Sequence, residues 1–395
     1  MTGLEYRLAS VSLRLLGRLF DRLPIARRRV VLATARVPRL DGNLAHVDAA
    51  LRARYPELDY VHLLEPYGYG LFRKVAYMGR LVRGMYHLRR ARLFVVDNAY
   101  LPIHVAPHRR ETTVVQVWHA TGALKRFGAD TTRGLDEPER TFLHRNYDYV
   151  VVSGEAAREP YSRALRTPVE RVLALGTPRT DSLHDRAWLE STRTAFLDAH
   201  PALAGRRIVL YAPTFRGRGR GRWAAEGLDA VRLRSLLPPA YALVLKTHPN
   251  LDPALSPRAG FDVVLDHTSE IEQAFAATDV FVTDYSSSIL DWAILRRPLV
   301  VLVPDLEEYE RDPGLYLDYR TEMIGAQVRD TDEVAAAVLA GVVDERAYDA
   351  FVERNLGRSR GGASERFVER FARPLFGPPR SGPPQRGPGR GRDEC

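Results

Sequence analysis

The segment VVQVWHATGALKRFG, residues 114–128, changes character at a single histidine. An apolar, strand-like run ends at His119, and small residues, a lysine and an arginine follow it. Because the imidazole group titrates near neutrality, a histidine at such a strand end is suited to moving a proton during catalysis. The alternative is a hydrogen-bonded histidine that only closes a core, which is the commoner role for any single histidine.

Clusters of polar and basic residues follow four other strand-like runs. They are GTPRTD at 176–181, YAPTFR at 211–216, LKTHP at 245–249 and TDYSSSILDW at 283–292. In open parallel sheets, ligands bind beyond the carboxyl ends of the strands, which share one edge. We therefore expect these loops to line one ligand site, to which they contribute Arg179, Pro213, Thr214, Arg216, Lys246 and His248.

The serines after Tyr285 predict an anion site. Ser286, Ser287 and Ser288 fall in the first turn of a predicted helix, where free backbone N–H groups, hydroxyls and the helix dipole favour an anion. Asp291 lies just over one turn further along and is placed to accept hydrogen bonds from a sugar hydroxyl. The alternative is a serine N-cap without any ligand, which any helix can have.

Several familiar site patterns are missing from the sequence. It contains no GxxxxGK[ST], GxGxxG or HExxH, which argues against a P-loop nucleotidase, a dinucleotide site and a zincin. We expect no metal and no cofactor. Lysine is rare, so Lys125, six residues after His119, and Lys246, two before His248, are candidates for compact positive charges that face a phosphate. Chance placement is the alternative.

Size and composition indicate a globular protein of about two domains. The chain has 395 residues, of which 45% are hydrophobic and 27% charged. Its one cysteine, Cys395, argues against a disulfide framework and a cysteine metal site, and fits a reducing compartment. No stretch approaches the roughly 18 apolar residues of a membrane span, and we expect no secretion signal.

The N-terminus predicts contact with an anionic membrane surface. The chain carries a formal net charge of +9, and residues 1–28 form a basic amphipathic helix. Its arginines at 7, 14, 18 and 22 gather on one side, and leucines spread over the other. A second basic segment, 71–93, also favours contact with a membrane surface. The alternative is a helix packed on the protein's own core. Arginines are spread along the whole chain, so we expect no nucleic-acid partner.

Apolar runs alternate with helical segments through most of the chain. Near-continuous Val, Leu and Ile runs are typical of parallel strands that are buried on both faces. They predict an α/β fold with two Rossmann-like doubly wound domains and a cleft between them, one at 29–185 and one at 186–375. The tail at 376–395 is rich in Pro, Gly and Arg, and we expect it to be disordered. The predicted strands are at 30–35, 59–64, 92–97, 113–118, 148–152, 171–175, 207–211, 241–246, 262–265, 279–283 and 299–303.

Taken in order, these motifs resemble the CDP-glycerol glycerophosphotransferases, the teichoic acid primase and polymerase family. The resemblance depends on WHATGALK, GTPRTD, YAPTFR, KTHP and TDYSSSILD and, more weakly, on GGASERF at 361–367. It implies a GT-B fold with the donor in the cleft, and a compact member without the polymerases' N-terminal extension. The chain departs from the family's usual HGTPLK, since it has HATGALK, so the shape of that loop is expected to differ.

The resemblance also implies roles for individual residues. His119 is expected to be the general base, and His248 to share in catalysis by neutralising charge. Ser286 and Ser287 are expected to hold the pyrophosphate, and Asp291 to contact donor hydroxyls. The other expected substrate-binding residues are Ala120, Thr121, Gly122, Ala123, Lys125, Arg179, Pro213, Thr214, Arg216, Lys246, Thr247 and Asp284.

The implied reaction is the transfer of glycerol phosphate from CDP-glycerol to a hydroxyl of a membrane-linked acceptor, with release of CMP. This places the protein peripherally on the cytoplasmic face of the membrane, with a lipid-linked acceptor as partner. CDP-ribitol as donor, or an ordinary GT-B glycosyl transfer, remains open from the residues alone. A different class of function, a basic non-catalytic protein that binds membrane or nucleic acid, accounts for the charge but not for the loops.

Overall fold

Two six-stranded parallel sheets form the centre of the molecule. The computed structural model describes residues 3–64, 71–131, 143–218, 221–224, 227–247, 258–266, 269–357 and 361–379. The first sheet has the order β2-β1-β3-β4-β5-β6 and the second β11-β10-β7-β12-β13-β14. This confirms two doubly wound α/β halves.

The first half runs from α1 to β6. Its strands are β1 Arg29–Thr34, β2 Asp59–Leu64, β3 Leu93–Val96, β4 Thr113–Gln116, β5 Tyr149–Val151 and β6 Val172–Leu173. Its helices are α1 Gly3–Phe20, α2 Gly42–Arg54, α3 Leu71–Leu88, α4 Leu101–Val105 and α5 Arg158–Ala164.

The second half follows. Its strands are β7 Arg207–Tyr211, β8 Phe215–Arg218, β9 Gly221–Ala224, β10 Tyr241–Lys246, β11 Val263–Leu265, β12 Val280–Thr283, β13 Leu299–Leu302 and β14 Ala326–Val328. Its helices are α6 Arg186–Ala199, α7 Ala230–Leu236, α8 Ile271–Ala277, α9 Ser288–Ala293, α10 Leu306–Arg311, α11 Tyr319–Glu322, α12 Thr331–Ala340, α13 Glu345–Leu356, α14 Ala363–Phe367 and α15 Arg373–Phe376.

Each sheet is buried on both faces, which explains its unbroken apolar strands. Successive side chains of a strand point to opposite faces. In β1, Val31 and Ala33 therefore enter one core cluster, whereas Val30 and Leu32 enter the other. The second sheet is divided in the same way, as Leu210 and Val209 of β7 show.

All of the strands that the apolar runs predict occur, with small shifts at their ends. The antiparallel hairpin β8–β9 and the edge strand β14 were not predicted. Their sequences, FRGR, GRWA and AQV, lack an apolar run, so periodicity gives no signal for them.

The two ends of the described chain both pack on the first half. Tyr6 and Leu13 of α1 are buried in the same cluster as Met85 of α3, so the N-terminal helix is part of this core. Phe367 and Phe371 return to the first sheet and join the other cluster, although the sequence-based division assigns them to the second domain. Residues 380–395, most of the expected disordered tail, lie outside the described residues.

The loop after β4 crosses to the second half. Leu124 is buried in the core cluster of the second sheet, and its carbonyl accepts a hydrogen bond of 3.0 Å from the N–H of Tyr316. Gly122 has a φ of +59°, and a Cβ added there would lie 2.8 Å from Leu290 Cδ2. The close approach of the two halves at this point therefore requires a glycine.

Replacing Gly122 with alanine is expected to destabilise the protein by about 2 kcal/mol, because alanine strains the left-handed backbone and collides with Leu290. The matched control is Gly79→Ala in α3, where an added Cβ meets nothing within 4 Å and alanine favours the helix by about 0.5–1 kcal/mol. Urea unfolding monitored by circular dichroism measures both. An unchanged midpoint for Gly122→Ala would contradict the proposed close contact.

Candidate active site in the cleft

A cavity of about 210 Å³ lies between the two halves, where loops from the carboxyl ends of both sheets meet. Of the residues predicted from sequence, His119, Arg179, Pro213, Lys246, Thr247, Ser286 and Ser287 line it. The lining also includes Arg36, Arg39, Asp41, Gly42, Asn43, Asp97, Ala212, Ser269, Glu270, Ile271, Glu272 and Ser288. Loops that are distant in sequence therefore share one site, as parallel-sheet topology predicts.

Nδ1 of His119 is hydrogen-bonded to the protein, whereas Nε2 has no hydrogen-bond partner among the described residues. Its Nδ1 lies 3.2 Å from the carbonyl oxygen of Asp97, so Nδ1 carries the proton and donates it. The ring packs at a tilt against Trp118, with ring centroids 4.5 Å apart. Burial and, secondarily, the charge of Arg36 lower the pKa of His119 to about 3. The imidazole is therefore neutral at physiological pH, with Nε2 as its basic atom.

Buried side chains fix the loop that carries His119. Asn43, at the start of α2, donates from Nδ2 to the carbonyls of Val117 and Trp118 at 3.1 and 2.8 Å. Tyr161 donates its hydroxyl to the carbonyls of Ala120 and Gly122, each at 3.0 Å. The backbone on both sides of His119 is thus fastened to the first half, which preorganises the ring.

Arg179 joins the two halves across the base of the cleft. Its backbone N–H donates to Asn43 Oδ1 at 3.0 Å. Its guanidinium donates to Asp291 of α9 and lies 3.4 Å from Glu272 of α8. The hydroxyl of Thr121 is 3.4 Å from the same guanidinium. A loop of the first half is therefore tied by charge to two helices of the second.

Asp291 takes a different position from the one expected. It is fully buried and does not line the cavity. Its carboxylate is bonded to Arg179, so it holds an arginine in place and is not exposed to a donor hydroxyl.

Lys246 reaches the cavity from the end of β10. Its ammonium donates to the backbone carbonyls of Asp266 and Thr247, at 2.8 and 3.2 Å. Burial lowers the pKa of Lys246 to about 8, although the charge of Asp266 opposes this. The group is mostly protonated at neutral pH and lies close to its transition.

Thr214, Arg216 and Asp284 form a network that supports the cavity wall. The carboxylate of Asp284 accepts from the N–H and hydroxyl of Thr214, at 2.8 and 2.7 Å, and from Arg216 at 3.0 Å. Arg216 also bonds Asp305 at 2.8 Å. This network fixes the loops that present Pro213 and Ser286, and its own members are not among the lining residues.

The serine loop presents hydroxyls to the cavity. Ser286 and Ser287 are half-buried and line it, and the hydroxyls of Ser286 and Ser288 are hydrogen-bonded to each other. The helix that follows, α9, has only six residues. The serine hydroxyls are therefore the main groups that this loop offers to an anion.

The remaining predicted residues lie away from the cavity or cannot be placed. Ala120 and Ala123 pack against the core of the first half, and Lys125 pairs with Leu315 in the crossing loop. Thr121 is fully buried beside Arg179. His248, the second catalytic candidate, lies outside the described residues.

Half of the lining residues that sequence analysis missed follow β1 and β3, and residues 269–272 at the start of α8 supply most of the others. Arg36 lies 3.7 Å from Asp41 and 3.8 Å from Asp97. Burial raises the pKa of Asp97 to about 6. Burial and a hydrogen bond with Asp41 raise that of Glu270 to about 7. The sequence does contain an indication of the residues after β1 and β3, because TARVPRLDGN and VDN stand at the ends of strand-like runs, as the other site motifs do. Within the described residues, no group of three or more His, Cys, Asp or Glu is placed to hold a metal ion.

A family model for CDP-glycerol:poly(glycerophosphate) glycerophosphotransferases matches residues 15–372. The teichoic acid ribitol-phosphate primase of Bacillus spizizenii is 31% identical over 357 residues, which cover 88% of this chain and 91% of the relative. The teichoic acid poly(glycerol phosphate) polymerase of Bacillus subtilis is 28% identical, over 86% of this chain and 47% of that protein.

Solved structures support the fold. The wall teichoic acid polymerase TagF superposes with a TM-score of 0.73 and 20% identity, over 94% of this chain and 97% of the solved chain. The Staphylococcus aureus MnaA–UDP structure superposes with a TM-score of 0.52 and 14% identity, over 89% and 97%. The two-domain architecture is therefore of the GT-B type.

Replacing Asp291 with asparagine is expected to destabilise the protein by about 3 kcal/mol, because Arg179 loses its fully buried charge partner. Asp349→Asn is the matched control: it removes the ion pair of an exposed aspartate with Arg296, which contributes less than about 1 kcal/mol. Chemical denaturation measures both variants. Weaker donor binding without any loss of stability would instead show that Asp291 contacts the donor.

Proposed function

Since this chain belongs to the CDP-glycerol:poly(glycerophosphate) glycerophosphotransferase family, among the teichoic acid primases and polymerases, we propose that it transfers a polyol phosphate from a CDP-linked donor to an acceptor hydroxyl. One observation carries the proposal. A neutral histidine with Nε2 available shares a cavity with buried cationic groups that suit a pyrophosphate.

The reaction requires a base and a bound diphosphate. The acceptor hydroxyl attacks the phosphorus nearest the polyol and loses its proton to Nε2 of His119. An O–P bond forms, the bond between this phosphorus and the bridging oxygen breaks, and CMP leaves with the bonding electrons. A positioned general base of this kind typically contributes 10²–10⁴-fold to the rate.

The charges around the cavity favour the leaving group. Lys246 and Arg36 are placed to neutralise the diphosphate, and Ser286 and Ser287 to donate hydrogen bonds to its oxygens. Arg179 contributes less directly, because Asp291 and Glu272 already engage its guanidinium. His248 keeps its proposed role in neutralising charge.

Donor binding is expected to activate the base. In the free protein, burial and then the charges of Arg36, Arg179 and Lys125 disfavour the imidazolium. A diphosphate beside Arg36 and Lys246 compensates these charges and raises the pKa of His119 towards neutrality. A proton is therefore accepted more readily when a donor is present.

Both polyols remain candidates for the donor. The description of the family favours CDP-glycerol, whereas the relative that this chain covers over 91% of its length is named a ribitol-phosphate primase, and the sequence motifs do not separate the two polyols. Phosphotransfer is favoured over glycosyl transfer because the family is defined by that chemistry.

We propose further that the protein works peripherally on the cytoplasmic face of the membrane, on a lipid-linked acceptor. Within the described residues, no helix is long and apolar enough to cross a bilayer. Helix α1 exposes leucines on the side opposite its buried face, which supports contact with a membrane surface.

The proposal is tested by measuring CMP release from CDP-glycerol and from CDP-ribitol with a lipid-linked acceptor. His119→Ala is expected to lose at least about 100-fold in rate with the preferred donor, because the general base is removed. His200→Ala is the matched control, since His200 is the C-cap residue of α6 and packs against Phe196, away from the cavity. Retention of more than about a tenth of the rate by folded His119→Ala would contradict the role of base. CMP release from neither donor would contradict the proposed function.

Donor affinity is expected to fall as the pH rises above about 8, because Lys246 then loses its proton. If Lys246 stays protonated while the diphosphate is bound, the dissociation constant of the donor is expected to rise up to about tenfold per pH unit. Calorimetry with the inactive His119→Ala protein and CDP-glycerol or CDP-ribitol measures it. Lys246→Arg stays charged throughout this range and is expected to abolish the dependence. If the pH dependence of donor affinity persisted in Lys246→Arg, another titrating group would be its cause.

A further inference from the structure

A second cationic site, here called the arginine pocket, lies on the first half, away from the cleft. Arg14, Arg18, Arg89, His104, Arg145 and Asn146 line a cavity of about 560 Å³. None of these six borders the cleft cavity. The pocket lies where α1 meets α4 and the segment just before β5.

The inner wall of the arginine pocket is a buried guanidinium. The side chain of Arg89 is only 7% exposed and lies 3.4 Å from Asp21. Its Nε finds no hydrogen-bond partner among the described residues. A Cβ added at Gly17 would lie 2.9 Å from Arg89 Nη2, so the glycine lets α1 pass over the guanidinium. The inner wall therefore carries a buried positive charge with incomplete hydrogen bonding, which favours an anion in the pocket beside it.

The outer wall adds further positive charge. Arg14, Arg18 and Arg145 are exposed, and within the described residues Arg18 and Arg145 have no ion-pair partner. Burial lowers the pKa of His104 to about 4, so this ring is neutral. Its Nε2 accepts from the N–H of Tyr100 at 3.1 Å. The charge of the pocket therefore comes from guanidinium groups, whose planar N–H donors match the oxygens of a phosphate.

An exposed apolar stripe, here called the leucine stripe, runs beside the pocket on α1 and the turn after it. Its five residues, between 37% and 61% exposed, are Leu8, Val11, Leu15, Leu19 and Leu23. They recur every three or four residues, so they share one side of the helix. Arg14 and Arg18 lie next to Leu15 and Leu19, between the stripe and the buried face that carries Leu13.

We propose that the arginine pocket binds the phosphate group of an anionic phospholipid while the leucine stripe enters the bilayer interface. The stripe favours a lipid-borne phosphate over a free one, because the two features adjoin on one helix and both are satisfied at the surface of a bilayer. The inference rests on the proposed peripheral contact with the membrane and names the lipid group that this surface binds, and it does not depend on the reaction in the cleft.

A row of aromatic rings in edge-to-face and tilted contact connects the pocket with His119. His104 lies 5.7 Å from His144, and His144 lies 5.7 Å from Trp118. Trp118 in turn lies 4.5 Å from His119. The pocket and the cleft are thus joined by packed side chains of the first half.

Flotation with two kinds of vesicle tests the proposal. The negative charge is carried by phosphatidylglycerol in one kind and by oleic acid, at matched surface charge, in the other. The wild type is expected to prefer phosphatidylglycerol, and Arg18→Gln with Arg145→Gln to bind it about 30-fold more weakly and to lose the preference. Both arginines are exposed, so the variant is expected to fold. Arg186→Gln with Arg232→Gln, exposed arginines on the second half, removes the same charge and is expected to keep the preference.

Two further measurements separate the sources of phosphate. Leu15→Ser with Leu19→Ser is expected to weaken binding to both kinds of vesicle. Inorganic phosphate is also titrated, without vesicles, into the wild type and into the Arg18/Arg145 variant. We expect no saturable binding signal that is present in the wild type and absent from the variant. Equal binding of the wild type to both vesicles, an unchanged preference in the arginine variant, or a saturable phosphate signal that depends on these arginines would overturn the proposal. CMP release is not needed for any of these results.

Discussion

The buried ion pair between Arg179 and Asp291 is the interaction on which the candidate site depends. Arg179 belongs to the first half, and both Asp291 and its second partner Glu272 belong to the second. Desolvating these charges is costly, and only their mutual attraction and hydrogen bonds repay the cost. The pair therefore contributes less as net stability than as a constraint, since Arg179 reaches Asp291 and Glu272 only when the two halves are in contact.

That constraint extends to the reacting groups. Asn43 bonds the backbone of Arg179 on one side and the carbonyls just before His119 on the other. The position of the imidazole is thus linked, through two residues, to helices that also support the serine loop. Gly122 permits the same approach sterically, because Leu290 occupies the space where a side chain would be. Charge and packing therefore select one closed arrangement of the cleft.

The cleft is mixed in charge and not simply basic. Asp41, Asp97, Glu270 and Glu272 line it beside the arginines and Lys246. With a pKa raised to about 7, Glu270 carries only part of its negative charge near pH 7, which reduces its repulsion of a diphosphate in the cavity. Outside the cleft, α1 divides its surface between a buried face, an arginine flank and a leucine stripe. One element thereby completes a core and presents a surface suited to a bilayer.

The sequence by itself determined the two parallel sheets, because strands buried on both faces are largely apolar, and an apolar run marks every strand of these sheets except β14. It also determined which loops would meet, since the carboxyl ends of parallel strands share an edge; His119, Lys246, Ser286 and Ser287 follow from that rule. Only the tertiary structure decided what each loop residue touches. Asp291 and Arg216 belong to motifs as chemically rich as those of Lys246, yet burial turns them into supports. The packing of Phe371 on the first sheet could not be predicted either, because the apolar residues of a helix do not indicate which of two similar sheets the helix will cover. Local sequence patterns indicate which residues are buried and which elements they form. The hydrogen-bond and ion-pair partners of each side chain depend on how segments far apart in the chain come together.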